Sequence, residues 1–473
     1  MMKGSRTAMN NRRFIRIQLL LLFILLLACC IWSCSGKQDA PDGTASAGAT
    51  SALPDTGSET KAEPETASET TPATETETET ETATETVTEP ETSFNEGKVD
   101  YAIVDGTVIA TPQDGYSLGL DITDRTDLIG ICYTMWFNAI HGDGEGKLEG
   151  CLNVEELIAQ YGFSAKYGFG NEKEQHNHLH QFHYWSEPAQ GYYRSTDTDA
   201  IRNNMTLLYN AGVDFLILDY TYAHAGYRLG SWEWINYIGK PMNALLDTIM
   251  QMRAEGLGTP YVVMWMNDDS LFDAIYQSFY SVEKWTDCFV FWNDKPFIMR
   301  WNAGLDDIDT KYFTVRGMSG LHGASTAQWS YLQANNKRTV SYFGDDPEHV
   351  SVCVAAQLSY MSDPHSANGR AGGVFWYSQW LNAFKVHPKI VSVTWWNEWT
   401  AQLYHTDAGY IFTDNFNQEY SRDIEPMKGG HGDQYYRWLC EYIRAYRAGE
   451  DCPVLVEPGY ESKAARALRL FLR

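Results

Sequence analysis

The chain has 473 residues, with 61 Asp and Glu against 36 Lys and Arg, a formal net charge of −25 and 14% aromatic residues. So acidic a chain, with no basic stripe, argues against nucleic acid as a partner, because phosphate backbones are held by clustered Lys and Arg. Its nine cysteines show no zinc-finger spacing, HExxH is absent, and no GxSxG elbow supports Ser–His–Asp hydrolysis.

The N-terminus reads as an address. Lys3, Arg6, Arg12, Arg13 and Arg16 precede an apolar run from Ile17 to Ala28 that only Gln18 interrupts, which is the layout of a secretory signal. Leu26-Leu27-Ala28-Cys29 resembles the lipobox of bacterial lipoproteins, in which the Cys is lipidated after cleavage; Cys34 is a second candidate. The competing reading is an uncleaved anchor helix, for which the run is short. Under either reading residues 1–34 tether the chain to membrane lipid, and the body is exported and faces outward from a bacterial cell envelope. Residues 35–97 form a Thr/Glu-rich linker. Between Asp55 and Thr92 stand eleven Glu and one Asp against one Lys, a net of −11 within the chain's −25. Such a segment buries nothing and repels itself, so it is expected to be a disordered stalk.

Residues 98–450 are expected to form one domain, followed by a tail, 451–473, packed on or beside it. Val99–Ala110 reads as an entry strand. Leu128–Phe137 is a buried strand, followed by a long insertion over about 139–195 in which only Val154–Tyr161 reads helical. Thr198–Ala211 is a helix capped by Asp197 or Thr198 and ended by Gly212. Strands are expected at Val213–Tyr220, Tyr261–Met266, Pro296–Trp301, Tyr312–Arg316, His349–Gln357, Ile390–Trp396 and Tyr410–Thr413. Helices are expected at Pro241–Glu255, Leu271–Trp285, Phe375–Phe384 and Asp433–Arg447, and a short basic amphipathic helix lies in the tail. Strands alternating with helices, and no glycine-rich loop after the first strand, predict an α/β chain: a (β/α)8 TIM barrel with a long insertion after its first strand. Cys440 and Cys452 are the local disulfide pair to consider.

In such a barrel the C-terminal strand ends share one cleft. Asp219, Asp268, Asp269, Glu398 and Asp414 fall at those ends, with Asp423 and Glu425 in the loop beyond. Cleavage of a glycosidic bond needs two such carboxylates. Each one alone is also what a helix cap or an ion pair looks like. Trp136, Trp265, Trp301, Trp396 and Trp399 lie at the same ends, where sugar faces stack, though many tryptophans in any such chain are core. Arg316 and Arg422 are cationic cleft candidates. The HNHLHQFH stretch, with His176, His178, His180 and His183, has no carboxylate or cysteine partner at a recognised spacing, and GDGEGK at 142–147 is an incomplete calcium loop. No metal and no cofactor are expected.

The stretch TWWNEWTAQ, 394–402, resembles the NEW motif of glycan-cleaving barrels related to endo-α-mannosidase, the glycoside hydrolase family 99-like proteins. YYRSTDTDAIRNNMTLLYNAGVDFLILDYTY, 192–222, resembles their second βα unit, and order and spacing agree over about 128–447. FNQEYSRDIEPMKGGHGDQYYRWL resembles a segment of secreted barrels of this type. The resemblance implies a hydrolase of glycosidic bonds with Glu398 at the first glutamate of the motif. Where the family carries a second glutamate three residues on, this chain has Ala401.

The expected function is therefore a glycoside hydrolase of a poly- or oligosaccharide, acting as a monomer. Glu398 is the expected acid/base and Asp219 its first-choice partner. Asn397, Trp136, Trp265, Asp268, Asp269, Trp301, Arg316, Trp396, Trp399, Arg422 and Asp423 are expected to bind substrate, with Asn397 orienting either a substrate hydroxyl or Glu398 itself. The rival reading, motivated by Ala401, is a carbohydrate-binding surface lipoprotein without catalysis.

Overall fold

The computed structural model describes residues 119–137, 153–162, 182–301, 310–319, 328–332, 340–356, 368–406, 409–412 and 417–472. The signal, the linker, the Val99–Ala110 strand, Cys29, Cys34, His176, His178, His180, the 142–147 stretch and Asp414 lie outside them. Among the described residues no helix is long and apolar enough to cross a membrane.

Two opening strands, β1 (Leu120–Asp121) and β2 (Leu128–Thr134), precede α1 (Val154–Tyr161) and β3 (Phe182–Tyr184). Next come α2 (Thr198–Asn210), β4 (Phe215–Tyr220), α3 (Lys240–Ala254), β5 (Tyr261–Met266) and α4 (Phe272–Ile275). Then follow β6 (Val290–Trp292), β7 (Lys295–Trp301), β8 (Thr314–Ser319), β9 (Trp329–Ser330), β10 (Ser341–Phe343) and β11 (Asp346–Cys353). Last are α5 (Val374–Val386), β12 (Ile390–Thr394), β13 (Thr400–Thr406), β14 (Gly409–Phe412), α6 (Gln434–Arg447) and α7 (Glu461–Phe471).

The result is an α/β architecture with a mixed sheet. Eight of its strands run parallel in the order β11-β12-β2-β4-β5-β7-β8-β9, while β1, β6 and β10 attach at the margins. The two ends of this row approach through side chains. Trp329 donates Nε1–H to Glu348 on β11 at 2.7 Å, and its ring lies 4.3 Å from that of His349 at 5°. No ladder joins β9 to β11 among the described residues.

The strands read as unbroken apolar runs because both faces are covered. Period-two alternation divides them. Cys132, Ile217, Val263, Phe297 and Met299 belong to one buried cluster, on one face of the strand row. Ile131, Leu218, Met264, Ile298 and Val393 belong to another, which Met205, Leu245, Trp380 and Ile443 of the helices cover. Helix α2 starts where Asp197 accepts the N–H groups of Asp199 and Ala200, at 3.0 and 3.2 Å, and Gly212 turns the chain into β4 at φ 85°.

Three expectations need correction. Tyr410–Thr413 is not an eighth parallel strand: β14 hairpins back onto β13 in a separate antiparallel sheet with β3. Thr406 pairs with Gly409, so the two strands are close in sequence, and a parallel crossover needs a dozen residues or more. The strand missing from the row is the two-residue β9, which is too short to carry a period. Leu271–Trp285 is broken into short 3-10, α and π segments rather than one helix. Cys440 and Cys452 form no disulfide, and neither do Cys132, Cys288 and Cys353.

The interior of the row is tightly filled. A Cβ added to Gly130 would lie 2.6 Å from the Phe215 ring and 3.2 Å from Ile217. Gly130→Ala is expected to cost about 1–3 kcal/mol, the usual range for overpacking, read as a lower urea midpoint at unchanged slope. An unchanged midpoint would contradict a filled interior.

Candidate active site

Glu398 follows β12, and an amide clamp sets its position. The Asn397 side chain accepts the Thr134 N–H at 2.8 Å and donates to the Thr134 carbonyl at 3.4 Å and the Tyr193 hydroxyl at 3.1 Å. Thr134 ends β2, and its register partner on β4 is Asp219, whose partner on β5 is Trp265. Strands β12 and β4 flank β2 on either side. Two strand spacings separate them, about 10 Å between backbones, so Asp219 and Glu398 stand on opposite sides of one strand end.

Arg422 donates Nε–H to Glu398 Oε2 at 2.8 Å, and its Nη2 donates to the same oxygen. Glu398 is 5% exposed and Arg422 fully buried. The backbone locks the two loops together: Trp395 N–H donates to Arg422 O at 2.9 Å, and the N–H groups of Ile424 and Glu425 both donate to Trp396 O. Trp396 N–H in turn donates to Cys132 O at 2.8 Å. Burial pushes the Cys132 thiol up; the hydrogen bond with Thr394 opposes this, the Asp219 and Glu398 carboxylates add to it, and Arg422 again opposes. Both carboxylates and the guanidinium therefore act on one buried sulfur.

An aromatic floor lies beside them. The Trp265 ring is 5.6 Å from Trp301, 5.3 Å from Tyr331 and 6.4 Å from Trp395. Arg422 sits 5.9 Å over the Tyr331 ring. The indole N–H groups of Trp265 and Trp395 and the Thr134 hydroxyl are buried without a hydrogen-bond partner among the described residues. Unpartnered buried donors mark where a polar ligand or water belongs.

Behind this face lies a second polar layer. Asp423 accepts Trp185 Nε1–H on both oxygens, at 2.8 and 3.0 Å, and Arg370 approaches to 3.8 Å. Glu425 accepts from the Tyr193 hydroxyl at 2.8 Å, from Trp399 Nε1 and from Gln190. Burial raises both carboxyls to about 7, against these donors and the arginines.

Several expected contacts have other roles. Asn397 is fully buried and ties the loop that carries Glu398 to Thr134, which fits the alternative that it orients Glu398. Trp396 turns to the helix layer, 6.1 Å from Tyr436. Trp399 stacks on Trp185 at 5.3 Å and supports Glu425. Asp423 is likewise enclosed. Asp268 takes the Ser270 N–H at 2.9 Å as a cap; burial opposes ionisation there, but hydrogen bonds from Ser270 and the Ala225 backbone hold its carboxyl below the usual range. Asp269 pairs with Arg300 at 3.6 Å. Arg316 grips Glu348 at 2.9 and 3.0 Å and lies over Trp292, which belongs to the hairpin preceding β7. That is the strand-start side, opposite the carboxylates. Asp219, Trp265, Trp301, Glu398 and Arg422 do converge, and half-buried Trp136 borders them, 6.1 Å from Tyr222. The sequence reading missed Thr134, Tyr331 and Arg370, which no local pattern distinguishes. A groove of about 670 Å³ between α5 and α7 is lined by Phe375, Lys463, Arg466 and Leu470, has no carboxylate in its lining and shares no residue with this site.

No protein-family model matches the sequence, and no curated protein aligns with it. Among solved structures, similarity is found to a GH99 endo-alpha-mannosidase from Bacteroides thetaiotaomicron in complex with BIS-TRIS-propane, at 15% identity over 68% of this chain and 98% of that one, with a TM-score of 0.43. A second structure of the GH99 endo-alpha-mannosidase from that organism gives 15% identity, the same coverage and a TM-score of 0.42. With likeness at that level, the chemistry of the site rests on this chain's own residues.

The raised carboxyls set a pH signature. Between the ordinary carboxylate range, near 4, and about 7, the folded chain keeps protons that the unfolded chain releases. Stability therefore falls as pH rises through that window and levels off above it. Glu425→Gln is expected to flatten part of this slope in urea titrations at pH 4.5, 6 and 7.5. A slope identical to the parent's would contradict a buried, proton-holding Glu425.

Proposed function

We propose that the chain is a glycoside hydrolase whose paired carboxylates are Glu398 and Asp219. The observation that carries this is their placement: the Asn397 clamp fixes Glu398 to Thr134, and the register pairs Thr134 with Asp219. The aromatic floor with its unpartnered N–H donors supplies the stacking face and hydrogen bonds that a sugar ring needs. The resemblance of TWWNEWTAQ to the NEW motif supports the same reading.

The Arg422 contact supports the reverse of the role split expected from the sequence. A carboxylate that takes two N–H groups from one buried guanidinium is held charged. Glu398 is therefore the base or nucleophile, taking a proton from water or attacking the anomeric carbon. Asp219 is the acid, giving its proton to the departing glycosidic oxygen. The base's separation from the acid decides which stereochemical course follows.

The N-terminal tether belongs to the same proposal: a lipid on Cys29 or Cys34, a Thr/Glu stalk and an outward-facing domain put the site where polymers outside the cell arrive. Ala401 favours a second reading, a sugar-capturing protein without turnover; the residue lies in β13, paired with His183.

The test is hydrolysis by the full chain on a panel of α- and β-linked polysaccharides. Glu398→Gln and Asp219→Asn are each expected to lower kcat by about 10²–10⁴-fold with little change in KM. Wild-type turnover in Glu398→Gln would end the assignment. Binding without product in the parent chain would select the capturing protein.

A further inference from the structure

Between β4 and α3 the chain carries a run of aromatic residues that the cleavage chemistry does not use. It begins at Tyr222, just past Asp219 at the end of β4, where the Trp136 ring lies 6.1 Å from that of Tyr222. From Tyr222 the rings continue to Tyr227 at 5.9 Å and Tyr237 at 6.0 Å, and Tyr227 and Tyr237 stand 5.7 Å apart. Trp232 lies a further 5.7 Å beyond Tyr237 and is 45% exposed. Tyr222, Tyr227 and Tyr237 are only partly buried against the core. An exposed tryptophan at the end of a file of half-buried tyrosines is costly to leave facing water without a use.

The file is held rigidly. Ser231 takes the Trp234 N–H on its hydroxyl at 3.1 Å, and the Asn236 amide donates to Trp232 O at 2.9 Å. Residues Trp234–Gly239 form a π-helix whose Trp234, Asn236 and Ile238 are buried, with Trp234 stacked 6.2 Å from Phe279. A π-turn inserted ahead of a regular helix is frequently a feature of functional sites. Here it alternates anchored and outward residues, leaving Trp232 and Ile235 exposed. Tyrosine and tryptophan rings with preset orientation lose little entropy when a ligand stacks on them.

We infer that this strip is an outer binding surface for a neutral polysaccharide chain that continues into the cleft. It takes its direction from the hydrolase reading, because the strip starts at Asp219. It follows that the natural ligand is an extended glycan, not a disaccharide. The rings meet at steep angles, 60° for Tyr222 and Tyr227, 65° for Tyr227 and Tyr237 and 74° for Trp232 and Tyr237, so exposed Trp232 is the stacking face, and the Tyr227 hydroxyl and Glu233 near it offer polar partners for sugar hydroxyls.

The test is native affinity electrophoresis of the full chain in Glu398→Gln form, so that polymer persists, through gels cast with α-mannan, galactomannan, dextran, xylan or soluble starch. At least one polymer is expected to retard it. Trp232→Ala is expected to weaken that retardation about 5–10-fold, as for loss of a stacking anchor, and Trp232→Phe to restore most of it. Tyr227→Ala should weaken it in the same direction. Equal retardation of Trp232→Ala and parent, or no retardation by any polymer, would overturn the inference. So would a change of sedimentation from dimer to monomer in Trp232→Ala, which would make the strip a contact between copies. A polymer bound through Trp232 but never cleaved by the parent chain would sink the hydrolase reading and leave this surface standing.

Discussion

The site depends on one side chain pressed against one backbone. Asn397 uses its amide oxygen and nitrogen on the N–H and C=O of Thr134, as a further strand would. The loop after β12 is thereby attached to the end of β2, and Glu398, the next residue, has little freedom left. A catalytic carboxylate needs that constraint, since a displacement of about 1 Å can cost 10²-fold in rate. Asn397 is fully buried, so the clamp works without competition from water.

Around the clamp, charge and aromatic packing reinforce each other. Arg422 neutralises Glu398 at the front, and Asp423 and Glu425 lie in the same loop behind it. A buried ion pair on its own contributes little net stability, while breaking one leaves a costly charge. The arrangement therefore favours a single geometry over raw stability. The Trp185–Trp399 stack and the Tyr193 hydroxyl, which receives Asn397 and gives to Glu425, connect the two layers. Polar networks of this kind hold a site only when nearly every member is satisfied. Trp265, Trp395 and Thr134, beside the two carboxylates, are among the buried groups left unsatisfied, as are Arg370 Nη1, Trp396 Nε1 and His431 Nε2 farther back.

Much of this was legible in the sequence, for identifiable reasons. The runs of β2, β4, β5 and β12 are long, apolar and rich in β-branched or aromatic residues, so their ends, and with them Asp219 and Glu398, could be located. Asp197 and Gly212 marked the limits of α2. What failed was long-range. Trp329–Ser330 has too few residues to show a period, and its place in the row is set by neighbours. Residues 409–412 look like any strand until their antiparallel pairing with β13 is seen. Trp395, Trp396 and Trp399 are alike in the sequence, but Trp395 faces the floor, Trp396 the helices and Trp399 the polar layer. Arg316 was read as a cleft residue because nothing local in the sequence shows that Glu348, far along the chain, comes within hydrogen-bond reach of it.

The most direct measurement is a crystal structure of Glu398→Gln with an oligosaccharide released from whichever polymer the parent chain cleaves or binds. The expected result is a sugar ring over Trp265 and Trp395, with a glycosidic oxygen within hydrogen-bond reach of Asp219 and the amide that replaces the Glu398 carboxylate facing the anomeric carbon. A sugar bound elsewhere, with both of those positions untouched, would contradict the pairing of these two carboxylates.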